Sequence, residues 1–458
     1  MADPLLAYFH KMEAERQIIV KELPKLDIDL YIQNYKGRTR FERLLHIGRS
    51  SVPLCVDALK AAVAEAKKGR DVGRYQHAVE HLRLAAPSDP DAVFDQTWIK
   101  QTSKTNTEET RRLENELKMY KNNLIKESIR MGNEELGKHF ESIGDLRQAL
   151  EAFQRMSPDL TTTKQFVEAG KLRSKIYLQM RDWINVSTSL NKLGDCFDDG
   201  EEDDKGFRPY YMIVTGLSFL ETDKYGEAVQ YFLNIDPSVA PQYYADVASP
   251  NDIATYGGLL ALATMNRASL QKVLETSVHF RSFLVLEPHL RKAISHFVNG
   301  RYSACLQILE SYRPDYLLDF YLHKHVAKIY DTIRHKCLLY YLQPFSRVDL
   351  RSMDAFGTPG SSIETDLAGM IRKGALQARI NKIDNVVTMA PVNARLQLQT
   401  KTLETVKSYE KDALDRIRRM SILAAELEVK GQRKQQAVGG GGQAADGDPV
   451  YADIVASA

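Results

Sequence analysis

LGKHFESIGDLRQALEAF (136–153) and GLSFLETDKYGEAVQYF (216–232) carry one pattern twice. Gly137, Phe140, Gly144, Ala149 and Phe153 of the first recur in the second as Gly216, Phe219, Asp223, Ala228 and Phe232, all at an offset of 79 residues (from 137 to 216). Between them, IYLQMRDWINVSTSL (176–190) repeats the scheme more loosely around Tyr177, Arg181, Val186 and Leu190. After them, HFVNGRYSACLQIL (296–309) sets Gly300, Cys305 and Leu309 in the same register. Each stretch reads as a helical hairpin. The first helix presents an aromatic residue, a tight turn follows, and the second helix needs a small residue where the pair touches.

Four hairpins in register, at roughly 34–40 residues per unit, are the signature of a helical-repeat solenoid, in which each unit buries its apolar face against its neighbours. The pattern resembles the tetratricopeptide repeat in a degenerate, TPR-like form, assigned to residues 107–320. The competing architecture is an ordinary helical bundle. Pro and Gly are sparse, 16 and 26 of 458 residues, and period-3.6 apolar spacing dominates, so the chain is expected to be mainly α. The length allows two or three domains.

Toward the N-terminus, residues 1–106 form a helical segment. DLYIQNYKGRTRFERLLHIGR places Tyr31, Tyr35, Phe41, Leu44 and Leu45 at helical spacing, and Leu59, Val63 and Ala66 continue it. Residues 84–106, with AAPSDPDAVFD, read as a loop. A long helix is expected from Thr107, with Leu113, Leu117, Tyr120 and Leu124 as its stripe. The acidic run DDGEEDDK (198–205) reads as a solvated loop.

Toward the C-terminus the period changes. HKHVAKIYDTIRHKCLLYYL has Val326, Ile329, Tyr330, Ile333, Cys337, Tyr340 and Tyr341 on one face, and the helix stops at Gln343-Pro344, because the residue before proline is pushed out of the α region. A short element, SRVDLRSMDAF, precedes the turn GTPGS. Ser361 and Glu364 then form a capping box for IETDLAGMIRKG, whose Ile363, Leu367 and Ile371 face the core and whose Gly374 stands at the C-cap. Leu376, Ala378 and Ile380 alternate with polar residues, NKIDN turns, and VVTMA returns. Helix, short helix, helix, hairpin is the order of a winged helix, placed at 321–392. Its second long helix sets Glu364 and Asp366 against Arg372 and Lys373 and lacks a row of base-reading side chains, so nucleic acid is not the expected partner. Edge pairing of the wing with another subunit is expected instead, with Val386 and Val387 as the interface residues: adjacent strand residues face opposite ways, one to the core and one to a neighbour.

A last helix at 393–430 carries Leu403, Val406, Ala413, Ile417, Met420, Ala424 and Leu427 at spacings of 3, 4 or 7. Such a seam needs cover, and helices of partner subunits are the favoured cover. Of this seam, Leu403, Val406, Ile417, Met420 and Leu427 are assigned as partner contacts. Residues 431–458 read as a disordered tail, and Gly439 to Gly442 form no phosphate loop.

Several function classes are excluded or disfavoured. The 62 Lys and Arg nearly balance the 60 Asp and Glu, unlike a protein that coats nucleic acid. Cys55, Cys196, Cys305 and Cys337 are far apart in apolar contexts, which reads as reduced, buried thiols. No secretory signal or membrane span is evident. His323 and His325 form an HxH, and His77 and His81 lie at i and i+4, but neither pair has a third ligand in a suitable place. No catalytic residues, metal site or cofactor are assigned, and the chain is not expected to be an enzyme.

The solenoid followed by YLQPFSRVDLRSM…IETDLAGMIRKGALQARINKIDNVV resembles a PCI domain, the module shared by the proteasome lid, the COP9 signalosome and a translation initiation factor. The likeness covers roughly 110–390, with Asp354 standing where the family usually has alanine. LDIDLYIQNYKGRTRFERLLHIG and IRHKCLLYYLQPF narrow it to the signalosome member of the family, with the paralogous proteasome lid subunit as the alternative and a stand-alone TPR-type adaptor as a further one. The resemblance implies a non-catalytic scaffold that joins other PCI subunits and metalloprotease-fold subunits through its winged helix and C-terminal helix. It also implies a role in removing NEDD8 from cullin-RING ubiquitin ligases, a catalytic zinc on a different subunit whose HxH is followed by Ser and Asp (here Ile333 and Lys336), cullin-RING ligases as further partners, and a place in nucleus and cytoplasm.

Overall fold

The computed structural model describes residues 4–194, 207–357, 362–390 and 394–425. Five helices open the chain: α1 (Pro4–Ala14), α2 (Ile28–Gln33), α3 (Gly37–Ser50), α4 (Cys55–Lys68) and α5 (Val72–Ala85). They close on their own core of Tyr8, Phe9, Met12, Phe41, Leu44, Leu59 and Val79. The expected loop at 84–106 is shorter than the composition implied. A 3-10 turn occupies Pro90–Ala92, and α6 (Gln96–Asn122) starts well before Thr107 because the Asp95 side chain accepts from the Trp98 amide and caps it. Leu113 and Leu117 are buried as expected. Leu124 lies beyond the end of α6 with φ of 55° and is exposed, so it is not part of that stripe.

The solenoid continues through α7 (Lys126–Ile143), α8 (Leu146–Arg155), α9 (Thr163–Gln179), α10 (Trp183–Gly194), α11 (Phe207–Glu221), α12 (Tyr225–Leu233), α13 (Pro250–Thr264), α14 (Arg267–Glu275), α15 (Val278–Leu284), α16 (Pro288–Val298) and α17 (Tyr302–Leu317). The four sequence copies are the hairpins α7–α8, α9–α10, α11–α12 and α16–α17. Their turn residues Gly144, Arg181, Asp223 and Gly300 all have left-handed φ, at 92°, 61°, 62° and 77°. In each, the next amide donates to the carbonyl five residues back: Asp145 to Phe140 at 3.0 Å, Asp182 to Tyr177 at 3.0 Å, Lys224 to Phe219 at 2.9 Å and Arg301 to His296 at 2.8 Å. This is the Schellman closure of a helix end, repeated four times. Five residues after each turn stand Ala149, Val186, Ala228 and Cys305, all wholly buried.

Small residues in the first helix let the second approach. A Cβ built on Gly137 would stand 2.4 Å from the Phe153 ring, and one on Gly216 would stand 2.9 Å from the Phe232 ring. The repeat thus conserves a backbone-to-ring contact, which explains why glycine and phenylalanine recur as a pair. α13 departs from hairpin geometry: Ile253, Ala254, Tyr256 and Leu259–Leu262 are all buried, making it a central helix packed on all sides.

The chain then turns into α18 (Val326–Leu342), β1 (Arg347–Asp349), a 3-10 segment (Leu350–Phe356), α19 (Ile363–Arg372), β2 (Ala378–Asn381) and β3 (Val386–Met389). The sheet order is β1-β3-β2, antiparallel throughout. The expected short element is therefore a strand plus a 3-10 turn. α18 ends where expected, but Gln343 keeps αR geometry (φ −53°, ψ −42°), so Pro344 acts through its missing N–H and its ring rather than by displacing the residue before it. The cap of α19 is Ser362, accepting from the Glu364 amide; Ser361, expected in that place, lies outside the described residues. Gly374 holds φ of 71° just past the helix, as a C-cap glycine should. The side chain of Asp354, the acidic run 198–205, Cys196 and the tail from 431 also lie outside the described residues. Cys55, Cys305 and Cys337 are buried free thiols.

Residues from Ala390 form a separate unit, whose described part is α20 (Ala394–Ala424).

Candidate partner interfaces

The wing is organised around β3. Val387 sits opposite both Val348 of β1 and Ile380 of β2 and is wholly buried. It is a core residue, which corrects its assignment as a partner contact. Val386 points to the other face, opposite Asp349 and Asn381, and is half-buried. β3 is central, so its edges are already taken. The free hydrogen-bonding edges belong to the outer sides of β1 and β2, because pairing leaves every second N–H and C=O of an outer strand unused. At the tip, Ile383 is 93% exposed between Asn381 and Asn385, held by the Asn381 carboxamide accepting from the Ile383 and Asp384 amides. Its one mark in the sequence is an isoleucine inside the polar turn NKIDN.

Along α20, Leu403, Val406, Ile417 and Met420 are exposed, as are Leu396, Leu414 and Leu423. Ala413 is half-buried, and Leu427 lies outside the described residues. Leu396 precedes Leu403 by one heptad and extends the apolar seam toward the N-terminal end of α20.

A third site carries no local sequence signal. Arg43 of α3 is 1% exposed, and it reaches Asp252 of α13 and Asp319 in the turn after α17, each at 2.8 Å. Its guanidinium also donates to the Tyr31 and Tyr256 hydroxyls and stacks on the Tyr35 ring at 4.1 Å. Tyr35 donates to Asp252 at 2.8 Å and Tyr256 to Asp319 at 2.9 Å, while the Tyr321 and Leu322 amides donate to Asp319. Burial holds the Asp252 carboxyl above its usual range, against the opposing pull of Arg43. The network locks the N-terminal bundle onto the solenoid, so the bundle and the repeats form one body.

Neither histidine pair forms a metal site. His323 and His325 are in a turn rather than on a helix, and they face different neighbours: His323 packs on His46 at 4.4 Å between ring centres, and His325 lies 3.2 Å from the Tyr225 hydroxyl and 3.6 Å from Glu221. His77 and His81 do approach, Nε2 to Nε2 at 3.2 Å, but the Tyr8 hydroxyl takes the other His81 nitrogen at 3.1 Å. Burial, then His77, pulls His81 down to about 4. Among the described residues no cluster of three or more potential metal ligands occurs, and no helix is long and apolar enough to cross a membrane.

Residues 95–273 match the family profile of 26S proteasome subunit RPN7, and residues 309–391 that of the PCI domain. The chain is 50% identical over 435 residues to COP9 signalosome complex subunit 1 of Neurospora crassa, covering 95% of each chain. It is 43% identical to the protein of that name from Emericella nidulans, over 90% of this chain and 84% of the other. It is 33% identical to that from Arabidopsis thaliana, over 92% and 95%.

Proposed function

The chain belongs to the family of COP9 signalosome complex subunit 1, and on that premise we propose that it is a scaffold subunit of the signalosome and supplies no catalytic group. In this reading it assembles the complex through the outer face and edges of its winged helix and through the seam of α20. The complex then removes NEDD8 from cullin-RING ubiquitin ligases on another, zinc-bearing subunit. Its partners are the other PCI subunits and the metalloprotease-fold subunits, with cullin-RING ligases as clients, and it works in nucleus and cytoplasm.

The observation that carries the reading is the extent of the likeness. At 95% of both chains, the similarity includes the N-terminal bundle, the solenoid, the winged helix and the last helix together, not a shared module alone. The exposed apolar seam of α20 supports an assembly role, since each large side chain left in water forgoes roughly 1.5–3 kcal/mol of burial. The match to the RPN7 profile favours one second reading, a subunit of the proteasome lid. Affinity capture of the full chain from native lysate, with identification of the captured subunits, separates the two. Signalosome subunits and cullins support the first reading; proteasome lid and base subunits replace it with the second; a chain captured alone overturns both.

A further inference from the structure

A pocket of about 460 Å³ opens where the N-terminal bundle meets the first solenoid helices. That size lies within the range of small-molecule sites, roughly 300–1,000 Å³. Its walls come from the start of α3, the α4–α5 corner, α7, α9 and Asp246 ahead of α13, and they carry seven Lys or Arg side chains against four carboxylates.

The carboxylates are already engaged. Glu65 holds Lys68 at 2.8 Å, Asp71 holds Arg74 at 3.0 Å, and Glu141 and Asp246 share Lys175 at 3.1 and 3.3 Å. The remaining cations have no counter-charge inside the pocket. Lys138 pairs with Glu134 at 2.6 Å, which does not line it. Among the described residues, Lys36 and Arg70 form no ion pair at all. Arg38 gives its Nε to Glu42, which does not line the pocket either, and its side chain stays 20% exposed. Burial, with Arg38 beside it, pulls Arg74 down to about 10 against the opposing pull of Asp71.

The backbone adds to the field. α3 is 14 residues long and opens into this pocket; its N-cap, Lys36, makes no side-chain cap. Its first amides and its dipole therefore present positive potential to the cavity. The space over Gly37 is empty, with no atom within 4 Å of where a Cβ would stand.

We propose that this pocket binds a compact anion carrying two or more phosphate groups, held by the opening amides of α3 and by Lys36, Arg38 and Arg70. The recess is walled from five parts of the chain, which suits a small free anion better than an extended phosphopeptide. The ligand bridges bundle and solenoid, so it stiffens the joint that the Arg43 network also closes.

The test uses the full chain and inorganic tripolyphosphate, titrated calorimetrically at constant ionic strength. One saturable site per chain is expected, with a ligand-dependent rise in melting temperature. The double variant Lys36→Glu/Arg70→Glu alters two exposed side chains; it should bind at least tenfold more weakly while its circular dichroism stays that of the wild type. Lys118→Glu/Lys121→Glu on α6 changes net charge equally and should bind as the wild type does. No saturable binding, equal loss in both double variants, or binding of a phosphoserine peptide but not of tripolyphosphate overturns the proposal.

Discussion

Arg43 and Asp252, separated by 209 residues of sequence, meet at 2.8 Å with side chains 1% and 6% exposed. One guanidinium thereby ties the N-terminal bundle to the central helix of the solenoid, and Asp319 joins the same fork. Replacing Arg43 by Met leaves two buried carboxylates without their cation, which costs about 3–5 kcal/mol. A large fall in melting temperature is expected. Adding Asp252→Asn and Asp319→Asn should recover much of it, because the uncompensated charge is then gone. A loss under about 1 kcal/mol in the single variant would contradict this account.

The glycine–phenylalanine contact of the hairpins makes a paired prediction. Gly137→Ala drives a methyl group into the Phe153 ring, and overpacking of this kind costs about 1–3 kcal/mol. Gly369→Ala, in mid-α19, meets nothing within 4 Å and should stabilise by about 0.5–1 kcal/mol through helix propensity alone. Denaturant melts of the two variants should move in opposite directions.

Acid sensitivity follows from the buried histidines. His81 titrates near 4 in the folded chain, below its ordinary 6.5, because burial disfavours the imidazolium. A depressed folded value means that the unfolded chain takes up the proton first. The stabilisation is complete above about pH 6.5 and is lost as pH falls through about 4. His46, pressed against His323 and buried, is lowered as well, chiefly by burial, and adds to the same slope. In His81→Gln, which can still hydrogen-bond Tyr8, the melting temperature should change less between pH 6.5 and 4.5 than in the wild type. An unchanged slope would assign the acid sensitivity elsewhere.

The two wing valines should behave differently. Val387→Asp places a carboxylate in a wholly buried site between Val348 and Ile380, a change in the class that exceeds about 4 kcal/mol. Loss of the cooperative melt is expected. Val386→Asp, on the half-buried outer face, should keep the melt and weaken capture of partner subunits. Equal capture by Val386→Asp and wild type would remove that face from the assembly surface.

For α20 the expectation concerns assembly alone. Ile417 is 57% exposed in mid-seam. Ile417→Asp should leave the circular dichroism of the isolated chain unchanged and block its co-purification with partners. Wild-type recovery of partners would show that the seam is no contact, whereas unfolding of the isolated variant would show that the seam is covered by this chain.

The sequence alone determined the elements whose signal is local. The hairpin register from Gly137 to Leu309, the cap at Gly374 and the seam of α20 each depend on residues within a turn or two of one another. Periodicity and turn chemistry suffice there. Three things required the tertiary structure. β1 is three residues long, and only pairing with β3 makes Arg347–Asp349 a strand; that pairing put Val387 at the centre of the sheet and in the core. The start of α6 was hidden in a polar stretch, where a single capping contact from Asp95 outweighed composition. Arg43 in α3 carried no mark distinguishing it from the surface arginines beside it. Its role depends on Asp252 and Asp319, which the fold brings from more than 200 residues away, and no local pattern encodes a charge that is buried only because its partners arrive.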